Sequence, residues 1–385
     1  MKALDTARLE RITDSIQARL QKPCLSCAEA LVWQAGEARY HRQLGWANVE
    51  AGAPLAPGAL YRLASMTKPI VAAAVMQQVE QGRIGLDEPV STYIPSFAEA
   101  RIAVIDETGR YTGTRPANGP VRVRHLLTHS SGLGSGEPYA SQLESEFSPR
   151  PGETLSDAVP RYGKCPLEYE PGTRTSYSGL LAFDTLAHIV ERVSGLAFSD
   201  YLQRNLFEPL DMPDTVFALS GEQRRRLVEI YAETPEGITR ENLDGKVFNF
   251  DSAVYNSGGG GLHGTCLDYG HFARMLLQEG EYDGRRVLSA ASVREMRRPQ
   301  LAEATPGLGR GVNWGLGMRV ITDAAGDGKP LSAGSFGWSG AFGTHFWIDP
   351  CQRLFAVYCS NMTTAGGSGA ATAFEFERDV YAALG

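Results

Sequence analysis

The chain has 385 residues, of which 43% are apolar and 21% are charged, and its formal net charge at pH 7 is −7. This length fits one large domain or two interleaved domains, and the composition supplies ample material for a core. No run of lysine or arginine suggests a surface that follows a phosphate backbone, which argues against nucleic acid as a partner. No apolar run is long enough to cross a bilayer, so no membrane span is expected.

The N-terminal segment, residues 1–20, predicts an amphipathic helix rather than a signal peptide. No continuous apolar stretch follows Met1 and Lys2, as a secretory leader would require. We therefore expect a cytoplasmic protein, or a periplasmic one if a leader has been removed. The apolar positions that recur near helical spacing are Leu4, Leu9, Ile12, Ile16 and Leu20.

Strands are predicted near both ends of the chain. Residues 28–35 and 38–47 predict a hairpin, and residues 343–350 and 353–360 predict two more strands. Helices are predicted between and after these strands, over 69–82, 180–193, 269–277 and 370–383.

The simplest assembly is an α/β (α+β) fold in which one antiparallel sheet brings both ends of the chain together. N- and C-terminal helices would flank the sheet, and a large, mostly helical domain would be inserted into it. We place the sheet-containing domain at residues 1–88 and 315–385 and the helical domain at 89–314, with the active site between them. A run of four glycines, 258–261, predicts a sharp turn or a close approach of backbone.

The cysteines are scattered along the chain. Cys24 and Cys27 form a C-x-x-C motif, but no second pair or histidine cluster stands at zinc spacing. A helix precedes this motif and a strand follows it, which is the reverse of the order in redox motifs. We expect free thiols, mostly buried, and no metal. The six cysteines are Cys24, Cys27, Cys165, Cys266, Cys351 and Cys359.

Ser65 and Lys68 lie at a predicted transition from strand to helix. Positions i and i+3 of a helix face the same way, so the Ser65 hydroxyl and the Lys68 amino group can meet. A serine hydroxyl becomes a good nucleophile when a base removes its proton, and lysine can act as that base. Taken alone, the pattern favours an N-capping serine followed by a solvent-exposed lysine.

Two further segments could complete a site. Tyr177, in the loop 171–179, could accept the Ser65 proton or pass it to a leaving group, although a loop aromatic with a satisfied hydroxyl is the alternative. The segment Trp338-Ser339-Gly340-Ala341 follows a predicted strand. A backbone N–H in it, paired with that of Ser65, would form a two-donor oxyanion hole, and glycine at 340 would let substrate approach the strand edge. The alternative is a β-bend with a packed tryptophan.

These three elements, in this order, resemble the β-lactamase-related serine hydrolases. That superfamily includes class C β-lactamases, penicillin-binding proteins and, most similar to this chain, family VIII carboxylesterases. Its members carry S-x-x-K, then Y-x-N or Y-x-x, then K-T-G or a substituted form such as W-x-G. The corresponding segments here are Ser65-Met66-Thr67-Lys68, Tyr177-Ser178-Gly179 and Trp338-Ser339-Gly340. Segments 82–90, 123–133 and 258–265 add to the resemblance.

The resemblance implies roles for individual residues. Ser65 would be the nucleophile, Lys68 its activating partner and Tyr177 the general base and acid. The backbone N–H groups of Ser65 and Ala341 would form the oxyanion hole. No metal or organic cofactor is required by this chemistry. The implied substrate contacts are Gly179, Trp338, Ser339 and Gly340.

Other residues near these motifs carry weaker expectations. The resemblance makes His125 and His129 structural residues that hold the turn after a helix. His345, one strand step past the third motif, could line the site, but we expect it at a surface position on a strand. We expect the loop 132–139 in the wall of the pocket.

Two departures from the superfamily pattern bear on the substrate. Gly179 stands where β-lactamases usually carry an asparagine that binds the substrate amide, and Trp338 replaces the lysine of K-T-G. Each lost charge-assisted contact to an anionic amide is typically worth about 1.5–3 kcal/mol, whereas an aromatic ring suits a neutral acyl or alkoxy group. Both changes point to a small-molecule ester of a short or medium acyl chain.

Other functions stay open at this point. The same site could serve a weak β-lactamase, a D-amino-acid or DD-peptidase, or an acyltransferase. A catalytically retired protein could use the fold to hold a peptidoglycan-like or small acyl ligand. The segment 337–341 approaches the G-x-S-x-G motif of α/β-hydrolases but ends in alanine and lacks the strand–elbow–helix setting. The sequence does not indicate the oligomeric state.

Overall fold

The centre of the computed structural model is an eight-stranded antiparallel sheet. The structure describes residues 1–134, 147–243, 254–327, 330–367 and 370–385. In chain order the strands are β1 Cys27–Gln34, β2 Glu37–Asn48, β3 Ala53–Pro54, β4 Tyr61–Arg62, β5 Arg101–Ile105, β6 Tyr111–Pro116, β7 Tyr231–Thr234, β8 Gly237–Arg240, β9 His263–Gly264, β10 Glu281–Tyr282, β11 Arg285–Arg286, β12 Val312–Trp314, β13 Arg319–Ile321, β14 Phe336–Ser339, β15 His345–Asp349 and β16 Leu354–Cys359. The central sheet has the strand order β12-β13-β14-β15-β16-β1-β2-β3.

Helices cover both faces of this sheet. The α-helices are α1 Thr6–Gln21, α2 Thr67–Glu80, α3 Val123–Leu127, α4 Leu155–Tyr162, α5 Leu181–Ser194, α6 Phe198–Leu202, α7 Gly221–Arg226, α8 Cys266–Leu277, α9 Ala290–Met296, α10 Ala324–Asp327 and α11 Ala371–Ala382. Short 3₁₀ turns cover Ala64–Met66, Val90–Thr92 and Pro95–Phe97, and a π-helical turn covers Gln203–Phe207.

The alternation of side chains along the strands divides the core into two layers. In β1, Leu31 faces the large cluster that contains α2 and α8, whereas Ala30 and Val32 face the cluster formed with α1 and α11. Helix α1 begins directly after Asp5, whose carboxylate accepts the first free N–H groups of the helix. The predicted α/β fold, with an antiparallel sheet flanked by the N- and C-terminal helices, is confirmed.

Helix α2 is the central helix of the protein. Its residues from Thr67 to Gln78 are all buried, as expected for a helix that is apolar on every side. It begins two residues before the predicted start at Pro69. Proline is tolerated there because the first turn of a helix has no internal acceptor for its N–H groups.

The predicted strands at both ends of the chain are confirmed as β1, β2, β15 and β16. The helix predicted over 269–277 begins earlier, at Cys266, because the Thr265 hydroxyl accepts the N–H of Asp268 and caps it. Strand β12 forms the outer edge of the sheet next to the predicted boundary between the two domains. The division into 1–88 with 315–385 and 89–314 stays a prediction.

The cysteines are free thiols, as predicted. Cys27, Cys266 and Cys359 are buried, but Cys351 is exposed, so the expectation of mostly buried thiols holds for only half of them. Across the described ranges, no helix combines the length and the apolar character that a membrane span needs. The compartment stays a prediction.

Gly340 allows the end of β14 to pack against the chain that leads into α2. A Cβ at this position would collide with the carbonyl oxygen of Leu63 and with the Thr344 hydroxyl. The Thr344 hydroxyl itself donates to that carbonyl at 3.0 Å. The glycine therefore serves a backbone contact inside the protein, in addition to any approach of substrate.

We predict that Gly340→Ala lowers the free energy of unfolding by about 1–3 kcal/mol, the usual cost of forcing atoms into a packed region. Gly221→Ala is the matched control, because an added Cβ there meets no atom within 4 Å. Urea unfolding of the two variants checks the prediction. Equal stability of both variants would contradict the close packing of Gly340.

Candidate active site

Ser65 sits in the 3₁₀ turn between β4 and α2. The residue before it, Ala64, adopts φ +47°, a left-handed conformation that costs a non-glycine residue energy and recurs at functional sites. The neighbouring backbone is fixed by the bond from the Leu63 N–H to the Leu262 carbonyl at 2.9 Å. The Ser65 side chain is half-buried, so the turn presents its hydroxyl at the N-terminal edge of α2.

Lys68 is fully buried one helical turn further along α2. Its Nζ lies 3.0 Å from Ser65 Oγ, 2.7 Å from the Gly179 carbonyl oxygen and 2.6 Å from the Gly259 carbonyl oxygen. Three partners match the three donor positions of an ammonium. A neutral amine could instead donate to the two carbonyls and accept from the Ser65 hydroxyl. No ion pair joins Lys68 to a carboxylate in the part of the chain that the structure describes.

The carboxylate of Asp184 holds one of these acceptor residues, Gly259, by accepting its N–H. Asp184 is fully buried in α5 and accepts hydrogen bonds from Tyr255 Oη (2.7 Å), Ser257 Oγ (2.8 Å) and the Gly259 N–H (2.9 Å). Burial raises the pKa of Asp184, while these hydrogen bonds and the positive charge of Lys68 oppose the rise. Gly259 therefore connects the two buried groups, with its N–H on the carboxylate and its carbonyl on the amine.

The four-glycine run, 258–261, makes this arrangement possible. A Cβ at Gly258 would collide with the Phe183 carbonyl, and one at Gly259 would collide with the backbone of Leu180. The predicted close approach of backbone is confirmed, and its partner is α5 together with the residue before it.

Tyr177 lies beside Lys68 within an aromatic cluster. The Lys68 Nζ is 5.0 Å from the centre of the Tyr177 ring, within the range of a cation–π contact. The Trp338 Nε1–H donates to the Tyr177 hydroxyl oxygen at 3.3 Å. Trp314 and His129 complete the cluster, with ring centres 4.7 Å from Trp338 and 4.6 Å from Tyr177 respectively.

Gly179 and Trp338 are the two positions that depart from the β-lactamase pattern. The Gly179 carbonyl accepts from Lys68, and an added Cβ at Gly179 would meet no atom within 4 Å. Trp338 contributes an indole N–H and an aromatic face where a lysine would contribute a charge. The structure thus brings Ser65, Lys68, Gly179 and Trp338 into one region.

The segment after β14 lies against the turn that carries Ser65. Gly340 packs on the Leu63 carbonyl, and its own N–H donates to the Thr344 carbonyl at 2.7 Å. That bond leaves the next N–H, of exposed Ala341, as the nearest candidate donor on this strand end. Among the described residues, neither the Ser65 nor the Ala341 N–H donates to a protein acceptor. Their role as an oxyanion hole stays a prediction.

The Ser339 side chain points away from Trp338, because neighbouring residues on a strand face opposite sides. Its hydroxyl lies 2.7 Å from His345 Nδ1, and His345 Nε2 lies 3.0 Å from a carboxylate oxygen of Glu377 in α11. The surface position expected for His345 is wrong, since only 3% of this residue is exposed. It pairs with Ser339 across β14 and β15, and α11 covers both residues.

This buried serine–histidine–glutamate row differs from a hydrolytic triad in its surroundings. Ser339 is 3% exposed and Glu377 is fully buried, so a substrate carbonyl cannot reach the Ser339 hydroxyl. Any contact that Ser339 makes with substrate would have to come from its backbone.

Several residues of the site were missed by sequence reasoning. Asp184 carries a signal in retrospect, because it is an acidic residue at a buried position of a helix whose buried side chains are mostly apolar. Trp314 and the carbonyl of Gly259 carry none. Most of the loop 132–139 that was expected in the pocket wall lies outside the described residues. Within the described ranges, no group of three His, Cys, Asp or Glu side chains could hold a metal ion.

His125 and His129 lie in α3 and in the turn after it, as expected. Burial, together with the charge of Arg122, lowers the pKa of His125 to about 4, and its Nδ1 accepts the Arg122 N–H at 3.2 Å. Burial, together with Lys68, holds the pKa of His129 well below its usual value. Both rings are therefore neutral in the folded protein near pH 7.

We predict that the free energy of unfolding falls as the pH drops from about 6.5 to about 4. The unfolded chain takes up a proton at His125 near pH 6.5, whereas the folded chain does so only near pH 4, so acid favours unfolding. His125→Asn keeps an acceptor for Arg122 but does not titrate, and should lose about 1–3 kcal/mol less than the parent over this range. Parallel stability curves for the two proteins would contradict the prediction.

Comparison with known proteins identifies the family to which the chain belongs. Protein Rv1367c of Mycobacterium tuberculosis is 33% identical over 364 residues, which cover 90% of this chain and 89% of that protein. Esterase EstB of Burkholderia gladioli is 31% identical over 393 residues, which cover 96% of this chain and 95% of that protein. The solved structure of EstCE1, a hydrolase with promiscuous acyltransferase activity, has a TM-score of 0.83 at 24% identity and covers 98% of this chain and 99% of that one. Residues 12–377 match the Beta-lactamase family, and the chain is therefore a member of that family of serine hydrolases.

Proposed function

We propose that the chain is a carboxylesterase of the family VIII type, which cleaves esters of short to medium acyl chains through an acyl-enzyme on Ser65. The observation that carries the proposal is the 3.0 Å contact between Lys68 Nζ and Ser65 Oγ inside a buried, carbonyl-lined pocket. A buried amine at this distance can help to remove the serine proton, whereas a solvent-exposed lysine beside an N-capping serine could not.

In the acylation step, Ser65 Oγ attacks the ester carbonyl carbon, and its proton passes to the pair formed by Lys68 and Tyr177. The N–H groups of Ser65 and Ala341 stabilise the negative charge that develops on the carbonyl oxygen. Collapse of the tetrahedral intermediate breaks the bond to the alkoxy oxygen, which leaves as an alcohol with that proton.

In the deacylation step, a water molecule attacks the acyl carbon and passes a proton to Tyr177. The second tetrahedral intermediate collapses, the free acid leaves, and Ser65 regains its proton. The Trp338 indole N–H donates to the Tyr177 oxygen at 3.3 Å and so helps to hold that oxygen in place for this step.

The preference for esters rests on the two departures of the site. Trp338 places an aromatic face and a neutral donor where a lysine would bind a carboxylate, and Gly179 leaves open the place of an amide-binding side chain. A neutral acyl group suits this pocket better than an anionic β-lactam or peptide. Weak β-lactamase or DD-peptidase activity on the same site is the alternative.

Acyl transfer is a second candidate, because an alcohol can replace water in the deacylation step. EstCE1, which shares the fold of this chain, is a hydrolase that also has acyltransferase activity. Added alcohol would increase ester product at the expense of free acid if transfer competes with hydrolysis.

We predict Ser65-dependent cleavage of p-nitrophenyl esters from acetate to octanoate, with little turnover of nitrocefin. Ser65→Ala should lower kcat by about 10³-fold or more, as expected when a nucleophile is removed. Ser339→Ala is the matched control, and its effect should stay below about tenfold, because its hydroxyl is buried on the far face of β14.

Two results would contradict the proposal. Full ester activity of Ser65→Ala would rule out the acyl-enzyme as drawn. Nitrocefin turnover faster than ester turnover in the parent protein would make the β-lactamase alternative the leading one.

A further inference from the structure

The main chain of His129 forms hydrogen bonds with the loop that carries Tyr177. His129 adopts φ +52° directly after α3, which turns its carbonyl towards that loop. The carbonyl oxygen accepts the Ser176 N–H at 3.0 Å, the Thr175 hydroxyl at 3.0 Å and the Tyr169 hydroxyl at 3.2 Å. The residue before Tyr177 is thus attached to the backbone of His129.

The imidazole of His129 holds the residue on the other side of Tyr177. Its Nδ1 accepts the Ser178 N–H at 3.1 Å, so the neutral ring must carry its proton on Nε2. Both peptide neighbours of Tyr177 are therefore bonded to one residue, through the carbonyl of His129 on one side and its ring on the other.

The same imidazole packs directly against the phenol ring. The ring centre of His129 lies 4.6 Å from that of Tyr177 and 4.4 Å from that of Trp314. His129 is 1% exposed, so solvent does not compete for these contacts. A residue that fixes both the backbone and the ring of Tyr177 also fixes the distance from its hydroxyl to the reacting atoms.

We propose that His129 is a positioning residue for Tyr177, which holds the phenol at the place where it exchanges protons with substrate and water. This inference rests on the proposed function, in which Tyr177 carries the proton transfers. His129 itself has no contact with the substrate in this scheme, and its imidazole acts only as an acceptor and a packing surface.

Asparagine and glutamine at position 129 separate this role from a general structural one. The side-chain oxygen of asparagine falls near the place of Nδ1, whereas the amide of glutamine falls near the place of Nε2. His129→Asn should therefore keep the bond to Ser178, and His129→Gln should lose it at similar volume. We expect kcat for p-nitrophenyl butyrate within about fivefold of the parent for His129→Asn, and at least about 20-fold lower for His129→Gln, with KM changed less than about threefold in both.

Two controls accompany these variants. His125→Asn changes a histidine of α3, four residues before His129, that does not contact Tyr177, and should keep the parent kcat. Tyr177→Phe tests the proposed function itself and should lower kcat at least as far as His129→Gln. Thermal unfolding of each variant identifies any protein that has failed to fold, and the asparagine and glutamine variants are compared only in folded protein.

The outcomes distinguish the two claims. If Tyr177→Phe keeps the parent kcat, the proton-transfer role that the proposed function gives to Tyr177 fails, whatever the His129 variants do. If Tyr177→Phe is impaired but His129→Asn and His129→Gln have equal kcat, the positioning role is overturned. A selective loss in His129→Gln, with rescue in His129→Asn, supports it.

Discussion

The site depends on the burial of one amino group in the middle of the protein. An ammonium removed from water is costly unless its donors are matched, and Lys68 has no carboxylate beside it within the described ranges. In place of a carboxylate, two backbone carbonyl oxygens and the Ser65 hydroxyl bind the Lys68 amino group. The three acceptors come from the turn that leads into α2, from the loop after Tyr177 and from the glycine run before β9. Folding must bring these three segments together before Ser65 has a partner that can help to remove its proton.

A second layer of buried polar groups holds each part of the proton-transfer pair. Asp184 holds the Gly259 N–H, and so fixes a carbonyl that binds Lys68. His129 accepts N–H groups on both sides of Tyr177. A third network, in which Ser339, His345 and Glu377 interact, ties the end of β14 to the C-terminal helix. Each network joins segments that are far apart in the chain. The local geometry of the site therefore depends on how these segments pack in the folded protein.

The sequence predicts much of the fold because the signals are local. Alternation and bulky residues mark the strands at both ends of the chain, and Pro69 marks the start of α2 to within two residues. The glycine run at 258–261 indicates that backbone must approach closely there. Local signals do not identify the residue that approaches this run. The Gly259 carbonyl accepts from the Lys68 amino group, which is 191 residues away in the chain.

The residues whose roles the sequence did not predict have one feature in common, which is that their roles depend on contacts between distant segments. His345 is the first residue of a strand in which three apolar residues follow it. That position is compatible with a solvent-facing side chain and with a buried polar network. Only the packing of α11 over that face decides between them. Trp314 looks like ordinary strand-forming bulk until β12 is placed beside the loop that carries Tyr177. Asp184 is an acidic residue among the mostly apolar buried positions of α5, which is a signal of a buried role that sequence reasoning missed.

Covalent labelling with a fluorophosphonate, followed by intact-protein and peptide mass spectrometry, tests whether the buried Lys68 activates Ser65. We expect one adduct per chain, located on Ser65 and formed rapidly in the parent protein. Lys68→Met, which replaces the amine with an apolar chain of similar length, should label at least about 100-fold more slowly. Equal labelling rates in the parent and in Lys68→Met, or an adduct on Ser339 instead of Ser65, would contradict this mechanism.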